Sequence, residues 1–431
     1  MSQFQIILIS IFGFFILIGV VLFAGFKADR NNSVTGDVSI WGSIDKDIMD
    51  DVLKDLIDRD DSFEKVKYTQ IDSNNFDNIL AEAMAEDKGP DLFFLPQSKI
   101  IKHQNKILAI PYKTFSERDF KNYFIEEGEL YLVDDGILAL PFIIDPLVMY
   151  WNRDIHTRMG VAKPPRYWDT FFDFARKVTE KDLNANILTS AVALGGYQNI
   201  NNAKEILLTL IMQTGNPIAI RDEDDNDMLE ILLKKDFGGE DLGAESALRF
   251  YTEFTNPAKE IYSWNSSMPN SKNMFLAGDL ALYFGFASEM SDLQNKNPNL
   301  NFDVSFLPQI SELKNVISFG KMEALAINKG SKNPAGAYGA AMELIKNDTL
   351  LYLNSITKLP PVSRVILSKE PIDPYQNVFF KAALSAKGFL DMSVDNTDLI
   401  FQSMVESVIS GRRKLSEAVS RADAEMCELI K

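Results

Sequence analysis

Hydrophobic positions along the chain form one long unbroken run, followed by short strands alternating with amphipathic helices. Residues 6–26 are 21 positions without a charge, interrupted only by Ser10 and three glycines. As a helix rising ~1.5 Å per residue they span about 31 Å, close to the ~30 Å hydrocarbon layer of a bilayer. The run is longer than the ~7–15 residues of a signal-peptide core. Ala24 and Ala28 are poor cleavage sites, because Leu22 and Phe26 stand two places before them. No cysteine follows for lipid attachment. The pattern predicts a permanent single-span anchor with a polar tether, residues 1–36, and leaves a cleaved signal as the alternative.

Beyond the tether, residues 38–41 alternate as a strand. Ile44, Ile48, Val52, Leu53, Leu56 and Ile57 then mark one face of a helix. A second strand over 65–71 precedes a helix carrying Phe76, Ile79, Leu80, Ala83 and Met84, which Gly89-Pro90 closes. DLFFLP at 91–96 is a third strand, continuously apolar as in a buried parallel sheet. Strands and helices alternating at this spacing predict an α/β lobe. Ligands collect at the carboxyl ends of such strands, which marks Trp41. Further on, LPFIIDPLVMYWNRDI at 140–155 is an apolar run holding a single acid, Asp145, costly to bury unless something polar meets it. Pro164 and Pro165 then lead a helix with Trp168, Phe171, Phe172, Ala175 and Val178 at helical spacing. Helices are predicted over 201–215 and 244–254, a strand over 280–284 after Gly278, and a helix opened by Asn333 and Pro334. A last helix places Leu415, Ala418, Val419, Ala422, Met426 and Leu429 on one face.

Composition narrows the chemistry. At 431 residues the chain can bury two full cores. Its net charge of −17 argues against nucleic acid or anionic lipid as the main partner, since both require basic surface. A lone Cys427 excludes an internal disulfide, and two histidines, His103 and His156, exclude a multi-His zinc site. Both histidines read as surface or satisfied groups rather than bases. The acidic stretch 221–230 lacks the glycine and the final acid of a calcium loop, so it reads as a solvated loop. There is no nucleophile elbow, phosphate loop or zinc-helix motif. No catalytic residue, metal or cofactor is predicted. A glycosidase carboxylate pair stays open among 61 acids.

The 140–155 block and the helix after it resemble the middle of the extracellular solute-binding proteins of ABC importers, the maltose-binding-like kind. FLAGDLALYFGFASEM at 275–290, DVSFLPQ at 303–309, the segment 318–347 and the closing Ser-Gly-Arg plus amphipathic helix continue the likeness in order, over residues 37–431. The resemblance implies a two-lobe α/β periplasmic-binding-protein fold with a cleft between lobes. Lobe one would take 37–144 with 315–357, and lobe two 149–312 with 360–431. The chain would cross near 143–148, Leu313 and 359–361. It implies capture of a small solute, most often a sugar, and delivery to ABC permease subunits from outside the membrane. Charge alone points the other way: Lys27 and Arg30 follow the apolar run and no basic residue precedes it.

Carried over position by position, the resemblance implies ligand contacts at Trp41, Asp45, Asp145, Tyr197, Trp264, Phe286 and Ser288, where aromatic faces stack on sugar C–H patches and carboxylates meet hydroxyls. Asp45 reads equally as a first-turn acid at a helix dipole, and Trp264 and Phe286 as core. Where the family often places a stacking aromatic, this chain has residues 398–401 instead. A sensory or structural ectodomain of the same fold and an anchored glycoside hydrolase are the alternative functions.

Overall fold

The computed structural model describes Val34 and residues 36–222, 228–235, 243–311 and 316–430. The anchor expected at 6–26 and the crossing expected near Leu313 lie outside them. Among the described residues no helix is long and apolar enough to cross a membrane. The chain forms two compact units. The first comprises the residues up to Leu92 with Gly330–Thr349, and the second Phe93–Lys329 with Leu350–Lys431.

In the first unit β1 (Val38–Gly42) pairs in parallel with β2 (Val66–Gln70), with α1 (Lys46–Arg59) between them in sequence and α2 (Phe76–Ala85) after β2. Of the expected apolar face of α1, Val52, Leu53 and Leu56 are buried together with Met49, while Ile44, Ile48 and Ile57 are half-buried. Asp45 is its N-cap, accepting the Asp47 amide at 2.9 Å. Asn333 caps the helix Pro334–Leu344 in the same way, through the Gly336 amide at 3.0 Å. Asp91 draws the ends of this unit together. Its carboxylate accepts the Ser39 amide and hydroxyl, each at 2.9 Å, and the Ser331 hydroxyl at 2.6 Å.

The second unit is built on a mixed sheet. Its strands are β3 (Leu92–Pro96), β4 (Ala139–Asn152), β5 (Ile187–Val192), β6 (Leu280–Phe286), β7 (Phe302–Ser305) and β8 (Ser318–Ile327). Their order is β3-β8-β4-β6-β5, with β7 also on β4. As far as Asn152, which caps a short helix, Arg153–Arg158, the 140–155 run is therefore one long strand. Its first half pairs antiparallel with β8 up to Pro146 against Gly320. From Leu147 against Phe286 it pairs antiparallel with β6, and from Met149 with β7 as well. β6 begins at Leu280, where the glycine-ended helix before it led us to expect a strand, and runs two residues further than expected. Of 303–309, which resembles the family's strand ending in Leu-Pro, only the residues up to Ser305 are strand, and the Gln213 side chain donates to the Pro308 carbonyl at 3.1 Å.

The proline-led helix also starts late. Residues 166–168 are held extended by backbone bonds to Gln309: Gln309 donates to Arg166 and Trp168 donates to Gln309, both at 3.0 Å. Only then does a 3-10 turn lead into α3 (Phe171–Val178). Tertiary pairing outranks the local proline signal there. Trp168, Phe171, Phe250, Phe254 and Phe284 interlock as one aromatic core. Both histidines are buried rather than on the surface. His156 lies 2.8 Å from the Asn152 carbonyl, packs on Trp151 and Phe174, and its pKa is lowered by burial. The ends of the acidic stretch pair as short strands, Ala219–Arg221 with Leu229–Ile231, while 223–227 lie outside the described residues.

Glu127 is a buried acid of this unit, 1% exposed. Burial pushes its carboxyl from the ordinary 4.5 up to about 8, against the lowering pull of Lys387 and of the Gly388 and Gln97 amides. Between those two values the folded chain holds a proton that the unfolded chain has released. Stability from this group therefore falls as pH rises through the window. Glu127→Gln removes the penalty. Denaturant unfolding at pH 8.5 should show the variant about 2–4 kcal/mol more stable relative to wild type than at pH 4.5, at ~1.4 kcal/mol per pKa unit. Parallel pH profiles would refute the assignment.

Candidate functional site

A cavity of about 570 Å³ opens in the second unit, within the range of small-molecule sites. Its walls come from the turn after β3, from β8, from the first turns of α4 (Ala203–Gln213) and of a helix α5 (Val394–Ile409), and from the segment before α5. Phe319 and Phe389 supply aromatic surface, and Leu208, Met322 and Leu399 aliphatic surface.

Gln97 sets one wall. Its side-chain amide behaves as a strand neighbour to β8, donating to the Gly320 carbonyl at 2.6 Å and accepting the Met322 amide at 2.8 Å. The residue bracketed by those bonds is Lys321. Its ammonium lies 3.1 Å from Glu205 and 3.9 Å from the centre of the Phe286 ring, a cation–π contact. A charged residue on a β strand is thus pinned by backbone, carboxylate and ring together.

Lys204 sets the opposite wall. It is buried, with its ammonium 2.9 Å from Asp391 and donating to the Thr397 hydroxyl at 2.6 Å. Buried charges persist only when paired and hydrogen-bonded, and this triad meets the condition. On β8, burial pushes the Glu323 carboxyl up to about 7, with Lys99 opposing. Its Oε2 is buried and has no hydrogen-bond partner.

Three of the seven residues expected at the site come together. Asp145 stands opposite Lys321 in the β4–β8 register, and its Oδ1 accepts the Ser288 amide at 3.0 Å. Burial pushes the Asp145 carboxyl up to about 6, while the Ser288 bonds and Lys321 pull it down. Phe286 ends β6 beneath the Lys321 ammonium. Asp145, Phe286 and Ser288 therefore meet around Lys321, which is itself a wall of the cavity. Tyr197 reaches the cavity indirectly, donating to the Asp398 carboxylate at 2.7 Å. Trp264 is fully buried and donates to Asn199 at 3.1 Å. Trp41, half-buried at the end of β1, and Asp45, the cap of α1, belong to the first unit.

The residues sequence reasoning missed are mostly the charged walls: Gln97, Lys204, Glu205, Lys321 and Asp391. Lys204 and Glu205 read as the polar face of a helix, and nothing near Asp391 signals a buried partner. Lys321 did carry a signal, because it is a lone cation in the apolar strand SFGKMEALAI, the argument that singled out Asp145. A second cavity of about 470 Å³ lies beside Glu127, lined partly by Met212, Pro217, Ile317 and Leu390. None of the seven expected residues lines either cavity directly. Among the described residues no group of three or more His, Cys, Asp or Glu side chains is placed to hold a metal ion.

A cavity of this size with polar and aromatic walls is within the range of small-molecule sites. The sequence pattern of bacterial extracellular solute-binding proteins matches residues 47–347, and the chain belongs to that family. A cyclo/maltodextrin-binding protein solved with maltotetraose superposes with a TM-score of 0.74 at 16% identity, covering 92% of this chain and 97% of that one. The sugar-binding protein MalE from the phytopathogen Xanthomonas citri gives 0.75 at 16%, covering 91% and 97%. The cyclic α-maltosyl-1,6-maltose binding protein of Arthrobacter globiformis gives 0.73 at 13%, covering 92% and 99%. At these identities the likeness establishes the two-lobe periplasmic-binding fold.

The Lys204–Asp391 pair also makes a stability prediction. Asp391→Ala leaves a buried ammonium uncompensated and should cost about 3–5 kcal/mol in denaturant unfolding. Lys204→Met with Asp391→Leu together should recover most of that loss. A single-variant cost below about 1 kcal/mol would show that the pair is not desolvated as described.

Proposed function

We propose that this protein is a membrane-anchored, extracytoplasmic solute receptor that captures a saccharide in the 570 Å³ cavity and delivers it to an ABC permease. The observation that carries the reading is the make-up of the walls. Flat aromatic surface from Phe319 and Phe389 lies among carboxylates, an ammonium and an amide, the pairing that sugar rings and hydroxyls require. The partnerless oxygen of Glu323 would gain a hydroxyl donor from such a ligand, removing a cost of about 1–3 kcal/mol. Neighbouring folds solved with maltotetraose, or described as sugar-binding, support a saccharide as the ligand class.

Drawn with the lobe boundaries expected from sequence, 37–144 with 315–357 and 149–312 with 360–431, the cavity takes Gln97, Phe319 and Lys321 from lobe one and Lys204, Phe389 and Asp398 from lobe two. A ligand touching both sets would favour the closed state, which is how capture would be signalled to a permease. Asp145, Phe286 and Ser288 would act by holding Lys321. Trp41, Asp45, Tyr197 and Trp264 remain proposed contacts on the strength of the family resemblance. The segment 6–26 would anchor the chain, with the binding domain outside.

The full chain in detergent should show a ligand-induced rise in unfolding temperature with at least one oligosaccharide in a screen of sugars, amino acids and polyols. Lys321→Met, which removes a half-exposed cation, should weaken that ligand about tenfold by calorimetry. Turnover of a glycoside, or hits confined to amino acids, would overturn the reading. In cells, deleting 1–36 should move the protein from the membrane to the soluble fraction; retention at the membrane would refute the anchor.

A further inference from the structure

We propose that the cavity selects an amine-bearing saccharide over neutral and acidic ones, because its walls hold carboxylates that no side chain neutralises. This rests on the saccharide reading above and names its ligand class. Five carboxylates line the cavity, from Glu205, Glu323, Asp391, Asp395 and Asp398, against the two ammoniums of Lys204 and Lys321. Both ammoniums are already committed, Lys204 to Asp391 at 2.9 Å and Lys321 to Glu205 at 3.1 Å. Asp395, Asp398 and Glu323 form no ion pair among the described residues, but burial pushes the Glu323 carboxyl up to about 7, so below neutrality it is mostly protonated and the residual charge comes from Asp395 and Asp398. Lys99 acts on Glu323 only at longer range.

The residual charge has a local explanation for one member. Asp395 sits in the first turn of α5, where a helix dipole favours an acid. That account does not extend to the other two. Asp398 lies a turn further in and accepts the Tyr197 hydroxyl, which fixes its direction beside the cavity. Glu323 is on a strand, with an oxygen that nothing satisfies. A bare metal ion does not fit, since these acids come from different walls and no three of them converge. What fits is an extended ligand with an aliphatic ring for Phe319 and Phe389, hydroxyls for Gln97 and Lys321, and a protonated amine toward Asp398. A uronic acid would instead meet unpaired like charge, which costs binding.

The test is calorimetry on the full chain in detergent at pH 6.5, where a sugar amine is protonated. The probes are a glucosamine trimer, its N-acetylated counterpart, maltotriose and a galacturonate trimer. The glucosamine trimer should bind at least tenfold tighter than the two neutral trimers, and the galacturonate trimer should not bind. The advantage should shrink as salt rises. It should fall several-fold in Asp395→Asn, at an exposed position, and further in Asp398→Asn. If a neutral trimer binds as well as or better than the amine, the charge selection is wrong and the saccharide reading stands. If no trimer of any charge binds, the saccharide reading falls and this inference with it.

Discussion

Pro146 has no amide hydrogen, and much of the second unit is arranged around that fact. Here β4 changes neighbours at the proline: β8 pairs with it up to Pro146, and β6 from Leu147 onward. The proline carbonyl still accepts the Ala287 amide at 3.0 Å, so only the donor side of the ladder is interrupted. The switch delivers the end of β6 beside Asp145. Ser288 then meets the Asp145 carboxylate, and Phe286 lies under Lys321. Because side chains alternate with period two, a one-residue slip in either pairing would turn Asp145 and Lys321 to opposite faces.

The cavity walls are polar groups that largely satisfy one another. Lys204, Asp391 and Thr397 form a closed triad, and Gln97 spends its amide on the β8 backbone. Such groups give a ligand fixed rather than mobile partners, which lowers the entropy lost on binding. Exceptions stand out against that background. Glu127 and Glu323 are carboxyls raised to about 8 and about 7 by burial, so each is largely or partly protonated near neutrality. Glu127 is enclosed at the meeting of Gln97 and Gly388, where a Cβ on Gly388 would collide with both side chains. It lines the cavity of about 470 Å³, whereas Glu323 lines the one of about 570 Å³ with the aromatic walls.

Much of the architecture was legible in local pattern. Much of the buried face of α1, the cap at Asn333, the strand after Gly278 and the isolated acid at 145 follow from spacing and from capping chemistry that acts over a few residues. Errors fell where distant chain intervened. Gln309 keeps residues 166–168 out of the helix that Pro164 and Pro165 announce. Burial decides between the two readings of the histidines, as satisfied rather than surface groups, with His156 on the Asn152 carbonyl.

Periodicity and caps act between neighbours a few residues apart, so the chain by itself determined its strands, its helices and the α/β alternation. It also determined that Asp145 must find a polar partner. Which partner was decided only by the fold. Gln97 meets Gly320 across 223 residues of sequence, Lys204 meets Asp391 across 187, and Ser288 meets Asp145 across 143. Contacts at those separations leave no periodic trace, because each depends on the register of strands and helices that pattern alone does not bring together.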